Sequence, residues 1–384
     1  MLLALALVFS LAPAMALAVT LPDDVNADSF GTDNTVYYAG IYYPTLVDAL
    51  TAVYTSSPTG TAEIYCKPDA DVGEMTHGHV ADNIIIYGNG ATVSSGEQDL
   101  EIDTYKYDRT TGKQSIDGDS LTKDITVKVY DLNGIAAWGQ RNTDHTINLE
   151  FYNCKNMDRV YFTNTENSSG AINITLDGCS FDGADGSNQN TAVYSNSPGT
   201  ISIKNTTFNK ISIGLNLNHK SSDTQTISVE GCTFTDCAID SLRDHNTTKT
   251  YSAPIRIVAK AGATSKLTVT DTAFSYPSER TPKNGDILLN DGRYDAAVTQ
   301  GTVTLAMTGT AANIMVQESG YYTDADGKIT DDTKRRITPV TIYDTVSAND
   351  STHFTVHTGE VTPPTPPTSG GGWDDTLWPN ILQH

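Results

Sequence analysis

Hydrophobic and polar residues alternate strictly in several short stretches of this chain, and the alternation recurs. The sequence reads ITLDGCSF at Ile174, ISIKNTTF at Ile201, ISVEGCTF at Ile227 and LTVTDTAF at Leu267. A weaker copy, LEFYNCKN, starts at Leu149, and looser ones start at Val127 (VKVYDLNG) and Val303 (VTLAMTGT). The shared pattern is aliphatic-x-aliphatic-x-(Asn/Gly/Asp)-(Cys/Thr)-x-Phe. A period of two marks a strand with one buried face. From Leu149 to Ile227 the copies step by 25, 27 and 26 residues, and the step to Leu267 is 40. A unit this short cannot close its own sheet, so it buries its aliphatic face against the units before and after it. The pattern therefore predicts a coil of stacked parallel strands. It does not suit helical repeats, which need two amphipathic helices per unit.

Most units carry a second apolar stretch after the phrase: VYFTN (160–164), AVYSN (192–196), IGLNLNH (213–219), APIRIVAK (253–260) and DILLND (286–291). A third, shorter piece is expected to precede the next phrase. The 40-residue step contains RDHNTTKTYS (243–252), read as a loop projecting from one face. Equivalent positions on successive rungs should lie about 4.8 Å apart. Cys154, Cys179, Thr206, Cys232 and Thr272 then form one column, and Phe181, Phe208, Phe234 and Phe274 a parallel one.

An open coil end exposes core and strand edges, so a cap is needed. In YPTLVDALTAVYTSS (43–57), Leu46, Val47, Leu50 and Val53 fall on one side of a short helix, with Thr45 as its N-cap. AEIYCKP (62–68) and NIIIYGNGATVS (83–94) supply the first strands. A short capping helix, a first strand and then successive I-x-I-x-(N/G)-(C/T)-x-F rungs resemble the right-handed parallel β-helix of the pectate-lyase-like superfamily. The resemblance covers about residues 36–345, and is strongest to uncharacterised bacterial cell-surface members. It implies an all-β, single-chain solenoid with its capping segment at about 36–60 and coils at about 61–345. It implies no single activity, because enzymes, phage tailspikes and adhesins share this fold.

The two ends differ from the middle. MLLALALVFSLAPAMALAVT reads as a secretory signal peptide over residues 1–18, with A-x-A sites at AMA and ALA but no Lys or Arg before the apolar run. The run is too short for a membrane span. Residues 19–360 form the β-helix domain in this reading. Residues 361–384, which include PPTPPTSGGG, read as a disordered linker and tail, because Pro-Thr repeats are stiff and extended and the Gly run is flexible. Such linkers lead to wall attachment in surface proteins. Trp373 and Trp378 make the last residues a candidate docking tail.

Charge narrows the partners. The net charge of −22 argues against nucleic acid, whose phosphates require a basic surface, and against anionic membranes. It is compatible with a solvated extracellular surface. Five cysteines, Cys66, Cys154, Cys179, Cys232 and Cys237, are too few for a disulfide framework, and an odd number leaves one thiol unpaired in a monomer. Cys154 and Cys179 sit on adjacent rungs and are close enough to be bridged, whereas the Thr206 rung separates Cys179 from Cys232. The column itself favours small buried thiols. No Cys/His spacing suggests zinc.

Chemistry on this fold acts on acidic polysaccharide in a groove along the coil. The best catalytic candidates are Asp240, Arg243, Asp244 and His245 in AIDSLRDHNTT (238–248), with RDHNT similar to part of a pectate-lyase motif. Arg256 in APIRIVAK lacks the lysine two residues later that the family motif has. The paired aspartates and Gly-His-Gly of polygalacturonases are missing, and THGH (76–79) has the wrong order and reads as a loop. In YYTDADGKITDD (321–332), Asp324 and Asp326 are weak calcium candidates without the closing Glu of an EF-hand loop, and Asp-Gly there reads as a hairpin turn. No cofactor is expected. Nineteen tyrosines, among them Tyr37, Tyr38, Tyr42, Tyr43, Tyr105, Tyr107 and Tyr130, raise a carbohydrate platform as an alternative to half-buried packing.

The expectation is an exported, monomeric surface module with a structural or adhesive role that binds carbohydrate or a host-surface glycan. The alternatives are a polysaccharide lyase or glycoside hydrolase, and a trimeric phage-type fibre.

Overall fold

The computed structural model describes residues 22, 25, 27–94, 98–102, 106–108, 113–115, 121–140, 144–163, 170–183, 191–219, 223–239, 253–259, 262–278, 282, 285–290, 302–323, 329–339 and 354–356. The signal-like segment 1–18 and the tail 361–384 lie outside them.

The described chain is almost all strand, arranged as stacked parallel sheets compatible with a β-helix. One sheet runs, in spatial order, through Ile41–Tyr43, Val36–Tyr38, Ala62–Cys66, Ile84–Tyr87, Ile125–Tyr130, Ile147–Tyr152, Ile172–Asp177, Gly199–Lys204, Thr224–Glu230, Thr264–Thr270 and Thr302–Thr308. From Ala62 onward its neighbours are parallel and in register, so that Leu149 pairs with Ile174, Ile201 with Ile227, and Ile227 with Leu267. A second sheet stacks Met75–Val80, Gln98–Ile102, Ala136–Gln140, Val160–Thr163, Thr191–Ser195, Ile213–His219, Ile255–Ala259, Ile287–Asn290 and Ala312–Thr323. A third contains Ser180–Asp182, Thr207–Asn209, Thr233–Thr235 and Ala273–Ser275.

Two strands come out of each of the four phrases at Ile174, Ile201, Ile227 and Leu267, where the sequence suggested one. The break falls at the Asn/Asp/Gly position, which is left-handed on rung after rung: Asp131, Asn153, Gly178, Asn205, Gly231, Asp271 and Gly309 have φ of 51°, 55°, 68°, 47°, 61°, 46° and 61°. Residues with a bulkier Cβ pay about 1–2 kcal/mol in this conformation, and Gly, Asn and Asp tolerate it best. The chain turns there, and the x-Phe-x piece becomes a strand of the third sheet. That sheet follows the phrase directly instead of preceding the next one.

The core is made of columns. Val127, Leu149, Ile174, Ile201, Ile227, Leu267 and Leu305 are all buried, as are Val129, Phe151, Leu176, Ile203, Val229, Val269 and Met307. Phe181, Phe208, Phe234 and Phe274 pair in register and stack, with successive centroids 5.2, 4.6 and 5.2 Å apart. Burying an aromatic or aliphatic side chain of this size contributes roughly 1.5–3 kcal/mol, so each rung is held chiefly by its neighbours.

The N-terminal end is covered by the helix Leu46–Ser56 and by the hairpin of Val36–Tyr38 with Ile41–Tyr43. Thr45 is the N-cap and its hydroxyl accepts from the Asp48 N–H at 3.2 Å, while Leu46, Ala49, Leu50, Val53 and Tyr54 face the core. Toward the other end, Ala312–Thr323 and Ile329–Pro339 form an antiparallel pair, and Phe354–Val356 adds in parallel beside Ala312–Ile314. His77 and His79 lie on the strand Met75–Val80, not in a loop. The irregular register between Met75 and Gly78 explains why no clean alternation marks that strand in the sequence.

Candidate functional site

The corner column explains the interchange of Cys and Thr. Cys154, Cys179, Thr206, Cys232 and Thr272 are buried. Each donates to the carbonyl two residues earlier: Cys154 Sγ to Tyr152 at 3.6 Å, Cys179 to Asp177 at 3.7 Å, Thr206 Oγ1 to Lys204 at 2.7 Å, Cys232 to Glu230 at 3.4 Å and Thr272 to Thr270 at 3.0 Å. A thiol and a hydroxyl thus perform the same task, each giving its buried proton an acceptor by adding a second hydrogen bond to a strand-end carbonyl that already accepts an N–H from the preceding rung. Cys237 repeats it with Thr235 at 3.5 Å. All five cysteines are free, including the adjacent Cys154 and Cys179. Burial pushes the Cys66, Cys232 and Cys237 thiols up to about 12, and that of Cys154 well up. These four are protonated packing groups, unlike reactive thiolates in exposed, electropositive settings, whereas the Cys179 thiol, despite its burial, is drawn down by hydrogen bonding to Cys154.

The first sheet carries a tyrosine row on its outward positions. Ring centroids of Tyr65 and Tyr87 are 4.8 Å apart, those of Tyr87 and Tyr130 5.7 Å, and those of Tyr130 and Tyr152 4.9 Å, all stacked. Tyr37 and Tyr42 extend the row through tilted contacts. The Tyr65 and Tyr152 hydroxyls donate to Glu63 at 2.6 Å and Glu150 at 2.9 Å, and burial together with these carboxylates raises both phenols. Sugars stack on ring faces. Tyr87 and Tyr130 have both faces against neighbouring rings, so this row presents edges and hydroxyls to solvent.

The most diverse outward column lies on the second sheet. By register, Glu101 is followed by Trp138, Tyr161, Tyr194, Asn216, Arg256 and Leu288. Trp138, Tyr161 and Tyr194 are half-buried, and the two tyrosine rings stack at 4.5 Å. Beside them Arg159 Nη2 donates to Asp99 at 2.7 Å across two rungs. Past Tyr194 the column sinks: Asn216 is 8% exposed, Arg256 3% and Leu288 0%. Arg256 Nη1 donates to Asn216 Oδ1 at 2.6 Å. A cation buried this deeply is stable only with hydrogen-bonded partners.

Of the sequence-derived candidates, Arg256 falls in this column. Asp240, Arg243, Asp244 and His245 lie outside the described residues, as do the calcium candidates Asp324 and Asp326. Trp138, Tyr161, Tyr194 and Asn216 were not singled out from the sequence. A signal for two of them exists, because Tyr directly follows a Val in both VYFT and AVYS. Among the described residues, no three His, Cys, Asp or Glu side chains converge to hold a metal ion, and no helix is long and apolar enough to cross a membrane.

Comparison with protein-family models, with curated protein sequences and with solved structures finds no match.

Proposed function

We propose that this chain is an exported, surface-displayed module of the right-handed parallel β-helix type, related to the pectate-lyase-like superfamily, with a structural or adhesive role. The observation that carries this reading is how the chemically capable side chains are engaged. Burial holds the Cys154 and Cys232 thiols protonated and they bond strand-end carbonyls, Tyr87 and Tyr130 are stacked on both faces, and Arg256 Nη1 is bonded to Asn216 in the wall. Long stacks with such engaged side chains suit a scaffold that displays a surface. The signal-like start and the Pro/Thr-rich tail support export and attachment. The half-buried strip of Trp138, Tyr161 and Tyr194 is the surface that this reading assigns to a glycan or host-surface partner, reached through ring edges and hydroxyls.

A glycan array probed with the full-length chain, with and without calcium, tests the recognition half of the proposal. Selective binding that is lost in Trp138→Ala and Tyr161→Ala supports it. Absence of binding to every glycan removes carbohydrate and leaves a scaffold or a protein-binding adhesin.

One observation favours a second reading, a lyase or hydrolase of acidic polysaccharide. Arg256 stands two rungs past Tyr194 in the same column, on the strand that follows the 240–252 segment. A phage-type fibre would be trimeric, and a monomer by light scattering rejects it.

A further inference from the structure

One inward column changes character near the middle of the stack. On the first sheet it reads Ile125, Ile147 and Ile172, all buried. It continues with Gly199 against Ile172, whose carbonyl oxygen a Cβ on residue 199 would meet at 2.5 Å. Then come Gln225, Ser265 and Val303, paired in register. Gln225 and Ser265 are 0% exposed in an otherwise aliphatic column. The Gln225 side chain reaches the neighbouring coil just before Gly199, and its Nε2 donates to the Ser197 carbonyl at 2.8 Å. That bond fixes the amide orientation and aims Oε1 the other way. Among the described residues, Gln225 Oε1 and Ser265 Oγ, on adjacent rungs, have no hydrogen-bond partner and do not bond each other.

Leaving two buried polar atoms unsatisfied is unfavourable, because each has given up its hydrogen bonds to water without replacement. The two residues pair in register on adjacent rungs, yet this acceptor and hydroxyl make no direct bond, so one molecule bridging them would satisfy both. Ser265 is also two heavy atoms smaller than the isoleucines of the same column. A buried water requires a polar site with two to four partners and room for about one probe sphere. We propose that Gln225 and Ser265 form a binding site for a single structural water, which donates to Gln225 Oε1 and accepts from Ser265 Oγ–H. The water completes the rung where the aliphatic column is interrupted. It explains why a glutamine and a serine occupy adjacent core positions at all.

The test combines water counting with a double-mutant cycle on the full chain. Water-proton magnetic relaxation dispersion should show one fewer long-lived internal water in Ser265→Val than in the parent. In urea unfolding, Ser265→Val should be less stable than the parent, because Gln225 Oε1 loses its partner. Gln225→Leu/Ser265→Val should recover part or all of that loss. An unchanged water count, or a Ser265→Val variant as stable as the parent or more so, overturns the proposal. That outcome would mean that added methyl groups simply pack into the column. Should Ser265→Val fail to fold, Ser265→Ala gives the same comparison with less volume change.

Discussion

Thr206 and Cys232 stand on successive rungs in the same corner position, and each donates its side-chain proton to the carbonyl two residues earlier, at 2.7 and 3.4 Å. Shape and a single donor, not thiol reactivity, define the position. Cys232→Thr is therefore expected to leave stability within about 1 kcal/mol of the parent, whereas Thr206→Val, which keeps the shape and removes the donor, should lose about 0.5–1.5 kcal/mol, since the Lys204 carbonyl keeps its bond from the Gly178 N–H. Urea unfolding followed by circular dichroism measures both.

The left-handed turn residues make a second prediction. Gly178 has φ of 68°. Gly178→Asn should be nearly neutral and Gly178→Ala should lose about 1 kcal/mol, in keeping with the tolerance of this conformation by Asn and its steric penalty for other residues. The same unfolding assay reads the difference. Equal losses for Ala and Asn would mean that backbone conformation is not what selects the residue.

The phenylalanine stack makes a third. Phe208 is buried between Phe181 and Phe234, while Phe274 ends the row and is only half-buried. Phe208→Ala should lose about 3–5 kcal/mol, and Phe274→Ala clearly less. A larger effect at Phe274 would contradict stacking as the source of the stability.

Much of this architecture is legible in the sequence because burial has a period of two. The strands at Ile174, Ile201, Ile227 and Leu267 and the second-sheet strands at Val160 and Ile213 announce themselves by aliphatic alternation. Thr45 and the four apolar positions after it announce the cap. What was missed has physical reasons. The split of each phrase into two strands depends on φ at one residue, and Asn, Asp and Gly mark polar turns of many kinds. The Met75–Val80 strand has an irregular register and no alternation. The outward column of Trp138, Tyr161, Tyr194 and Asn216 comes together only through stacking of residues that lie dozens of positions apart. In the linear chain each is an ordinary polar or aromatic neighbour of a core residue.

His219 sets a pH-dependent prediction. It is 0% exposed, its Nδ1 lies 3.1 Å from the Thr264 carbonyl oxygen, and burial lowers its pKa below the ordinary value, against the opposing pull of Asp223. Above the unfolded value of about 6.5 both states are neutral there, and the group contributes no pH dependence. Below it the unfolded chain takes up a proton that the folded chain resists, so stability falls with falling pH until the folded value is reached. His219→Gln should reduce the decline in unfolding free energy between pH 7.5 and pH 5 relative to the parent. An identical decline in the two proteins would remove His219 as a contributor.

The proposed role is display of a surface, with polysaccharide cleavage as its rival. The most direct measurement is an eliminase assay of the full-length chain on polygalacturonate with calcium at alkaline pH, read by the absorbance of the unsaturated product. The account predicts no product above the buffer control. Product that forms with the parent and disappears in Arg243→Ala or Arg256→Ala, with both variants shown to be folded by circular dichroism, would contradict it and make the chain a lyase.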